Sequence, residues 1–153
     1  MAETRHDTFT IERRYPHSPE KVFAAISSPE LKPKWFAVGR NASDFSIDFR
    51  VGGREHQLFT MGDDTPFPGT IIENDGRYED IVPNERIVHS STMTLGGRRI
   101  SSALITYEVA PAGDGARLRV THQAVFYEGA DGPDMRKHGW EVLVDNLSEV
   151  LDA

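Results

Sequence analysis

The spacing of apolar residues divides the chain into a strand, a short helical segment, a long strand-rich segment and a final helix. Between Thr8 and Tyr15, apolar Phe9 and Ile11 alternate with polar residues. A period of two is typical of a strand with one buried face. We therefore predict a first strand from Thr8 to Tyr15.

Two short helices are predicted next, each by its own start signal. Ser18-Pro19-Glu20 supplies a cap, a proline for the first turn and an acid at the positive helix end, and Ser28-Pro29-Glu30 repeats this order. Trp35 and Phe36 end the second segment, and we interpret both as core residues because large aromatic side chains usually are. Their proximity to Gly39 leaves open that they instead gate a pocket.

The segment from residue 44 to residue 126 is predicted to form six strands. Groups of Gly, Asp, Asn and Pro mark its turns, at Gly52-Gly53, residues 62–69, Asn74-Asp75-Gly76, Pro83-Asn84, Gly96-Gly97 and residues 111–115. Short turns of this chemistry join antiparallel neighbours. The segment is therefore predicted to be a meandering antiparallel sheet.

A helix is predicted from Pro133 to Leu151, where the apolar spacing changes to that of a helix. At 1.5 Å per residue it is roughly 28 Å long, enough to cover a sheet. Gly139 and Asn146 interrupt its apolar face. Gly139 either leaves space or allows a close approach to the sheet, and Asn146 needs a polar partner, either a sheet residue or a ligand.

Composition limits the class of protein. The chain has 153 residues and no cysteine, so we predict one domain over residues 1–153, without disulfides or thiolate metal sites. The N-terminal residues lack the apolar region of a secretory signal, which predicts a cytoplasmic protein. The longest apolar runs are too short to cross a bilayer, so no membrane association is expected.

The charge makes nucleic acid an improbable partner. Seventeen Lys and Arg residues against twenty-four Asp and Glu residues give a net charge of −7. Proteins that bind nucleic acid usually carry a basic face for the phosphates. Here Lys21, Lys32, Lys34 and Arg40 are scattered among acidic residues, and we interpret them as a solvated helix surface.

Several sequence motifs resemble one family. Val51-Gly52-Gly53-Arg54, the segment from Gly76 to Val88, Thr121-His122-Gln123 and the last helix with Gly139 follow one another as in the family named for homology to the activator of the heat-shock-protein-90 ATPase. This resemblance covers about residues 8–151. It implies the α+β helix-grip, or START-like, fold of the SRPBCC superfamily, in which a curved antiparallel sheet and a long C-terminal helix enclose a cavity. It also leads us to expect an acidic residue at the position of His122, where this chain departs.

Alternation along the strands selects residues that face the cavity of such a fold. On the last strand His122 shares a face with Leu118 and Val120, opposite Arg117 and Arg119, so we predict that His122 points inward. The same argument turns His89 inward. Phe59 brings Glu55 inward as well, although Leu58 favours the opposite register, so this assignment stays open.

Glu55, His89 and His122 are the candidate catalytic residues. In a partly apolar pocket the pKa of such groups shifts toward neutral pH, which suits proton transfer. The alternative is that each is a hydrogen-bonded interior group without a catalytic role. The candidate ligand-binding residues are Trp35, Phe36, Gln57, Phe59, Tyr78, Ser91, Tyr107, Gly139 and Asn146.

We predict no metal and no cofactor. His56, His89 and His122 all lie on predicted strands, and three histidines can hold zinc. However, no two of them have a local ligand spacing, and His56 must face away from Glu55.

Three functions are weighed. The first is non-catalytic binding of a small apolar or aromatic molecule in an internal cavity. The second is a cyclase- or dehydratase-like enzyme that uses general acid–base residues, with Tyr107 close to the three candidates. The third, which follows from the family resemblance alone, is a protein that regulates a chaperone. A homodimer is also possible.

Overall fold

A computed structural model describes residues 2–37 and 40–153 of the chain. Its elements in chain order are β1 (Thr4–Tyr15), α1 (Pro19–Ser27), α2 (Lys32–Phe36), β2 (Arg40–Ile47), β3 (Arg54–Met61), β4 (Ile71–Val82), β5 (Arg86–Leu95), β6 (Arg98–Ala112), β7 (Gly115–Tyr127) and α3 (Pro133–Asp152). The strands form an antiparallel sheet in the order β1-β7-β6-β5-β4-β3-β2. The predicted α+β helix-grip architecture is confirmed.

The two short helices begin differently. In α1 the side chain of Ser18 accepts a 3.2 Å hydrogen bond from a first-turn amide, as the sequence predicts. Ser28 instead accepts from the amides of Glu30 and Leu31 within a turn, at 3.1 and 3.3 Å. The second helix therefore begins at Lys32 rather than at the predicted Pro29. Gly39, which was considered as part of a gate, lies outside the described residues.

The predicted turn at Asn74-Asp75-Gly76 is wrong, because these residues lie inside the continuous strand β4. Each pairs with β3 on one side and β5 on the other. A Cβ at Gly76 would collide with the carbonyl oxygen of Ser90 and lie 2.5 Å from Nε2 of His89. Glycine is required here by a close approach within the sheet, not by a turn conformation.

The structure decides which face of β3 points inward, a question that the sequence left open: Glu55 faces the interior. Glu55, Gln57 and Phe59 are buried on the concave side of the sheet, with at most 2% of each residue exposed. His56 lies on the opposite face, where it bonds to Asp44 and Glu73. The concave side is therefore where the interior residues of β3 gather.

Helix α3 packs with α1 and α2 against the concave face. Trp140 contacts the rings of Phe36, Tyr107 and His122, with centroids 5.8 to 6.1 Å apart. Toward the other end of the helix, the Tyr15 hydroxyl donates to the carbonyl oxygen of Val144 at 3.0 Å. None of the helices in the described part of the chain is both long and apolar enough to span a bilayer.

Candidate functional site

The cavity follows from the size of the side chains on the concave face. Strand pairing places them in rows that cross the sheet. The middle row, which we call the small row, consists of Gly76, Ser91, Ala103 and Ala124. Rows with larger side chains flank it: Tyr78, His89, Ile105 and His122 on one side, and Gln57, Asn74, Met93, Ser101 and Phe126 on the other, where Ser101 is the one small member. Small side chains between large ones leave space over the middle of the sheet.

A cavity of about 240 Å³ lies between this part of the sheet and α3. Most of its lining is apolar, with Ile72, Ile100, Ile105, Trp140 and Leu143 among its residues. Phe67 and Met135 also line it, and they are 37% and 45% exposed. The cavity therefore reaches solvent between the β3–β4 loop and the first turns of α3.

A buried ion pair, here called the inner pair, closes the other end of the cavity. Nζ of Lys32 lies 2.8 and 2.9 Å from the two carboxylate oxygens of Glu55, and both side chains are at least 98% buried. The ammonium group also lies 5.4 and 5.6 Å from the ring centroids of Phe36 and Tyr107. Cation–π contacts of this kind add to the stabilisation of the charge.

The carboxylate of Glu55 is fully engaged. Besides Lys32 it accepts hydrogen bonds from Nε2 of Gln57, at 2.6 Å, and from the Tyr78 hydroxyl. Burial acts to raise the pKa of Glu55, but the Lys32 ammonium foremost holds it below its usual value. Burial likewise acts to lower the pKa of Lys32, yet Glu55 keeps it above its usual value. The pair is charged at neutral pH, and Glu55 has no free lone pair with which to accept a substrate proton.

An amide chain leads from the inner pair along the cavity wall. Because an ionised carboxylate only accepts hydrogen bonds, Gln57 must turn its NH₂ group toward Glu55. Its Oε1 then accepts from Nδ2 of Asn74 at 2.9 Å. The orientation of both amides is thus fixed by chemistry, and no described residue bonds to Oδ1 of Asn74.

His89 stands beside this chain without a hydrogen bond to the described residues. Its ring centroid is 5.0 Å from that of Tyr78, and Nε2 is buried without a partner. Burial lowers the pKa of His89 to about 4, despite the opposing Glu55 carboxylate. The imidazole is therefore neutral at pH 7.

His122 lies toward the opposite side of the cavity. Its ring stacks on Phe9, with centroids 4.7 Å apart, and Nδ1 is buried without a partner. Burial, followed by the nearby Arg136, lowers the pKa of His122 to about 4. Ile105 on β6 separates His122 from His89, so the two histidines are two strands apart, roughly 10 Å.

A second ion pair, here called the outer pair, lies near His122. The guanidinium of Arg136 makes two 2.8 Å hydrogen bonds to Asp131 and a third of 3.0 Å to Oγ of Ser101. It also lies 4.9 Å above the ring of Phe126. The side chains of Arg136 and Asp131 are 7% and 14% exposed, so this pair is less enclosed than the inner one.

The three candidate catalytic residues therefore do not meet at one point. Glu55 and His89 are neighbours that share Tyr78, whereas His122 belongs to the region of the outer pair. His56 is on the other face of the sheet, so the three histidines cannot form one metal site. In the described part of the chain no group of three potential ligands is arranged to hold a metal ion.

The candidate ligand-binding residues divide into two groups. Phe36, Gln57, Ser91, Tyr107 and Gly139 line the cavity, whereas Trp35, Phe59, Tyr78 and Asn146 do not. Trp35 is only 1% exposed and donates to the carbonyl oxygen of Ala25, so Trp35 and the 7% exposed Phe36 are core residues rather than a gate.

Two predictions about α3 are corrected or resolved. Asn146 bonds neither to the sheet nor toward the cavity: its Nδ2 donates to the carbonyl oxygen of Trp35 on α2, at 3.4 Å. A Cβ at Gly139 would meet nothing within 4 Å, so this glycine leaves space beside the cavity and does not serve a close approach to the sheet.

Lys32, Asn74 and Arg136 are site residues that the sequence did not reveal. The interpretation of Lys32 as part of a solvated surface is wrong, since the residue is 1% exposed. Helical spacing offered a signal: Lys32 precedes Trp35 and Phe36 by three and four positions, which places it on their buried face. Arg136 likewise precedes Trp140 by four positions, which places it on the buried face of α3.

Sequence comparison identifies a family. The model of the family described as "Activator of Hsp90 ATPase homolog 1-like protein" matches residues 16–152. No curated protein matches the chain.

Three solved structures are similar over nearly the whole length. An uncharacterised protein from Rhizobium leguminosarum is 36% identical with a TM-score of 0.91, and covers 99% of this chain and 98% of its own. Mll3558 from Rhizobium loti is 38% identical with a TM-score of 0.86, covering 97% and 99%. CV1439 from Chromobacterium violaceum is 25% identical with a TM-score of 0.82, covering 95% and 97%.

Proposed function

Since the chain belongs to the Activator of Hsp90 ATPase homolog 1-like family, with its helix-grip fold, we propose that it binds a small apolar or aromatic molecule in its cavity without transforming it. The observation that carries this proposal is the space of about 240 Å³ above the small row, bounded mainly by apolar side chains. Pockets for small molecules are typically concave and apolar with a few placed polar groups.

The size of the cavity supports a ligand of one or two rings. An engineered cavity of about 150 Å³ is enough for benzene. The volume here, about 240 Å³, is larger than that but lies below the range of drug-sized pockets, which begins near 300 Å³. A ligand of this size gains its binding free energy from apolar burial.

The state of the polar residues supports binding over catalysis. Glu55, the cavity-lining carboxylate beside His89, already accepts bonds from Lys32, Gln57 and Tyr78. A general base needs a free lone pair directed at the substrate. We therefore propose binding without catalysis as the function of the cavity.

The test replaces a small side chain on the sheet side of the cavity by a larger one. Ala103→Leu projects three additional carbon atoms from the small row into the cavity, whereas Ala110→Leu makes the same change on the opposite face of β6. In a thermal-shift and native mass-spectrometry screen of one- and two-ring compounds, hits should bind the wild type and the Ala110→Leu variant but not Ala103→Leu. No hit on the wild type, or equal binding by both variants, would contradict the proposal.

An acid–base enzyme remains the second candidate, because one observation favours it. Nε2 of His89 and Nδ1 of His122 have no partner among the described residues, and a neutral imidazole can accept a proton as a general base. Given a substrate found by the same screen, replacing either histidine by Phe should then abolish turnover while binding persists. The prediction of a chaperone contact rests on the family description alone and stays a prediction, as does the homodimer.

A further inference from the structure

Tyr107 is the cavity-lining residue whose hydroxyl group meets the inner pair. It lies on β6, is 2% exposed, and packs its ring against that of Trp140, with centroids 6.1 Å apart. Its hydroxyl oxygen is hydrogen-bonded to the Lys32 ammonium group, whose Nζ is 5.6 Å from the centre of the ring. The hydroxyl therefore lies where the inner pair closes the cavity.

The direction of this hydrogen bond follows from the chemistry of the two groups. An ammonium group only donates, so the Tyr107 oxygen accepts from Lys32, and the single phenolic proton must be donated elsewhere. The Glu55 carboxylate already accepts four hydrogen bonds from other groups. No other residue in the described part of the chain accepts from the Tyr107 hydroxyl. The proton is therefore available to a group inside the cavity.

The neighbouring charges limit what kind of ligand group can accept this proton. The inner pair consists of one positive and one negative side chain and is neutral overall. An anionic ligand group would lose its hydration here without gaining a free counter-ion, which is strongly unfavourable. A carbonyl oxygen is a neutral acceptor and needs only the one donor that Tyr107 offers. The Lys32 ammonium strengthens that donor, because hydrogen bonds in a chain polarise one another.

We propose that Tyr107 donates a hydrogen bond to a carbonyl oxygen of the ligand, so that the cavity selects uncharged aromatic or apolar carbonyl compounds. The inference rests on the proposed function, since it names the class of molecule that the cavity binds. The carbonyl end of the ligand lies at the inner pair. Its apolar remainder extends past Trp140 toward the opening between the β3–β4 loop and α3.

The experiment compares ketones with hydrocarbons of nearly the same shape. 1-Indanone and indane differ only in whether one carbon is C=O or CH₂, and so do acetophenone and ethylbenzene. Each is titrated calorimetrically against the wild type and Tyr107→Phe, which removes the hydroxyl and keeps the ring. In at least one pair the variant should bind the ketone roughly fivefold more weakly, as expected for one net hydrogen bond, and the hydrocarbon within about twofold of the wild type. Because each compound is compared with itself, differences in hydration between ketone and hydrocarbon cancel.

Tyr78→Phe is the matched control. The Tyr78 hydroxyl also belongs to the surroundings of the inner pair, where it donates to Glu55, but Tyr78 does not line the cavity. This variant should therefore show no loss of affinity that is specific to the ketone. Benzoate, which resembles acetophenone but is anionic, should bind the wild type more weakly than acetophenone does.

Infrared spectroscopy of the wild-type complex provides a measurement that needs no variant. The C=O stretching band of a ketone moves to lower wavenumber when its oxygen accepts a hydrogen bond. The bound ketone should therefore absorb at lower wavenumber than the same ketone dissolved in an alkane. If Tyr107→Phe does not fold, the position of this band decides.

The outcomes separate the two proposals. The carbonyl assignment is overturned, and the proposed function stands, if only the hydrocarbons bind, if Tyr107→Phe shows no ketone-specific loss, or if Tyr78→Phe shows the same loss. Tighter binding of benzoate than of acetophenone, or a bound C=O band at its alkane position, has the same consequence. If none of the five probes binds the wild type, the proposed function fails, and the carbonyl assignment fails with it.

Discussion

The two ion pairs of the cavity differ in how they are built. Lys32 and Glu55 come from a helix and a strand 23 residues apart in the chain and are almost fully enclosed. Arg136 and Asp131 are five residues apart, next to the start of α3, and remain closer to solvent. The inner pair joins α2 to the sheet, whereas the outer pair links the loop before α3 to the first turns of that helix. We therefore expect the two ion pairs to contribute differently to the stability of the fold, depending on how deeply each is buried and on which elements it connects.

Breaking the inner pair should have the largest effect. Lys32→Met leaves the Glu55 carboxylate buried without its cation, which typically costs about 3–5 kcal/mol. Urea unfolding at pH 7 measures this loss against Lys34→Met, an exposed position of the same helix. The double variant Lys32→Met/Glu55→Gln should recover most of the stability. If Lys32→Met were as stable as its control, the inner pair would not have the role described here.

Acid should destabilise the protein through one histidine in each region. The pKa values of His89 and His122 are lowered from 6.5 to about 4, so between those pH values protons bind the unfolded chain but not the folded one. Stability is therefore lost as the pH falls through this window, by about 3 kcal/mol for each histidine at 1.4 kcal/mol per pKa unit.

The measurement is the free energy of unfolding at pH 7 and at pH 4.5. His89→Phe and His122→Phe should each reduce the acid-induced loss, while the exposed His138→Gln should not. His56 acts in the opposite sense, because Glu73 and Asp44 raise its pKa and its contribution is lost as the pH rises. An acid dependence that neither Phe variant alters would rule out neutral interior histidines.

Breaking the outer pair should cost less than breaking the inner one. Arg136→Met removes hydrogen bonds to Asp131 and Ser101, worth about 1–3 kcal/mol, but Asp131 can regain water because it is partly exposed. The same urea series provides the measurement, with Lys137→Met as the exposed control. A loss as large as that in Lys32→Met would show that enclosure is not what separates the two pairs.

The smallest effect is expected at Gly139, one turn after Arg136. Since a Cβ there meets nothing within 4 Å, Gly139→Ala should raise stability by about 0.5–1 kcal/mol through helix propensity. Thermal unfolding detects a change of this size. A lower melting temperature would mean that the space beside Gly139 is needed by the fold itself.

The fold could be predicted from the sequence because its signals are periodic and local. Alternation on β7 placed His122 inside, and the change of period after Pro133 located α3. The predicted helix start at Ser28 was wrong because this serine is the C-cap of α1. Its hydroxyl accepts a hydrogen bond within the turn that follows, and α2 begins only after that turn. The Asn74–Gly76 turn failed because Gly76 serves the packing of His89 across strands. Such packing depends on a partner in another strand.

The site could be predicted only in part, for a related reason. Glu55, His89 and Ser91 were found by alternation, but Lys32 and Arg136 were not, because a charged residue on a short or amphipathic helix usually faces water. Their helical spacing from neighbouring aromatic residues was the signal that could have placed both on a buried face. The carboxylate that would meet Lys32 lies 23 residues away, and nothing in local periodicity identifies it.

The small row has a consequence for how binding preference can diverge among relatives. The volume of the cavity depends on the side chain at Ala103, whereas its polar lining includes Asn74, His89 and Ser101 on other rows of the sheet. A single added methyl or propyl group on the floor would exclude larger molecules without disturbing the charged groups. Ligand size and ligand polarity can therefore evolve, or be redesigned, as two independent properties of one scaffold.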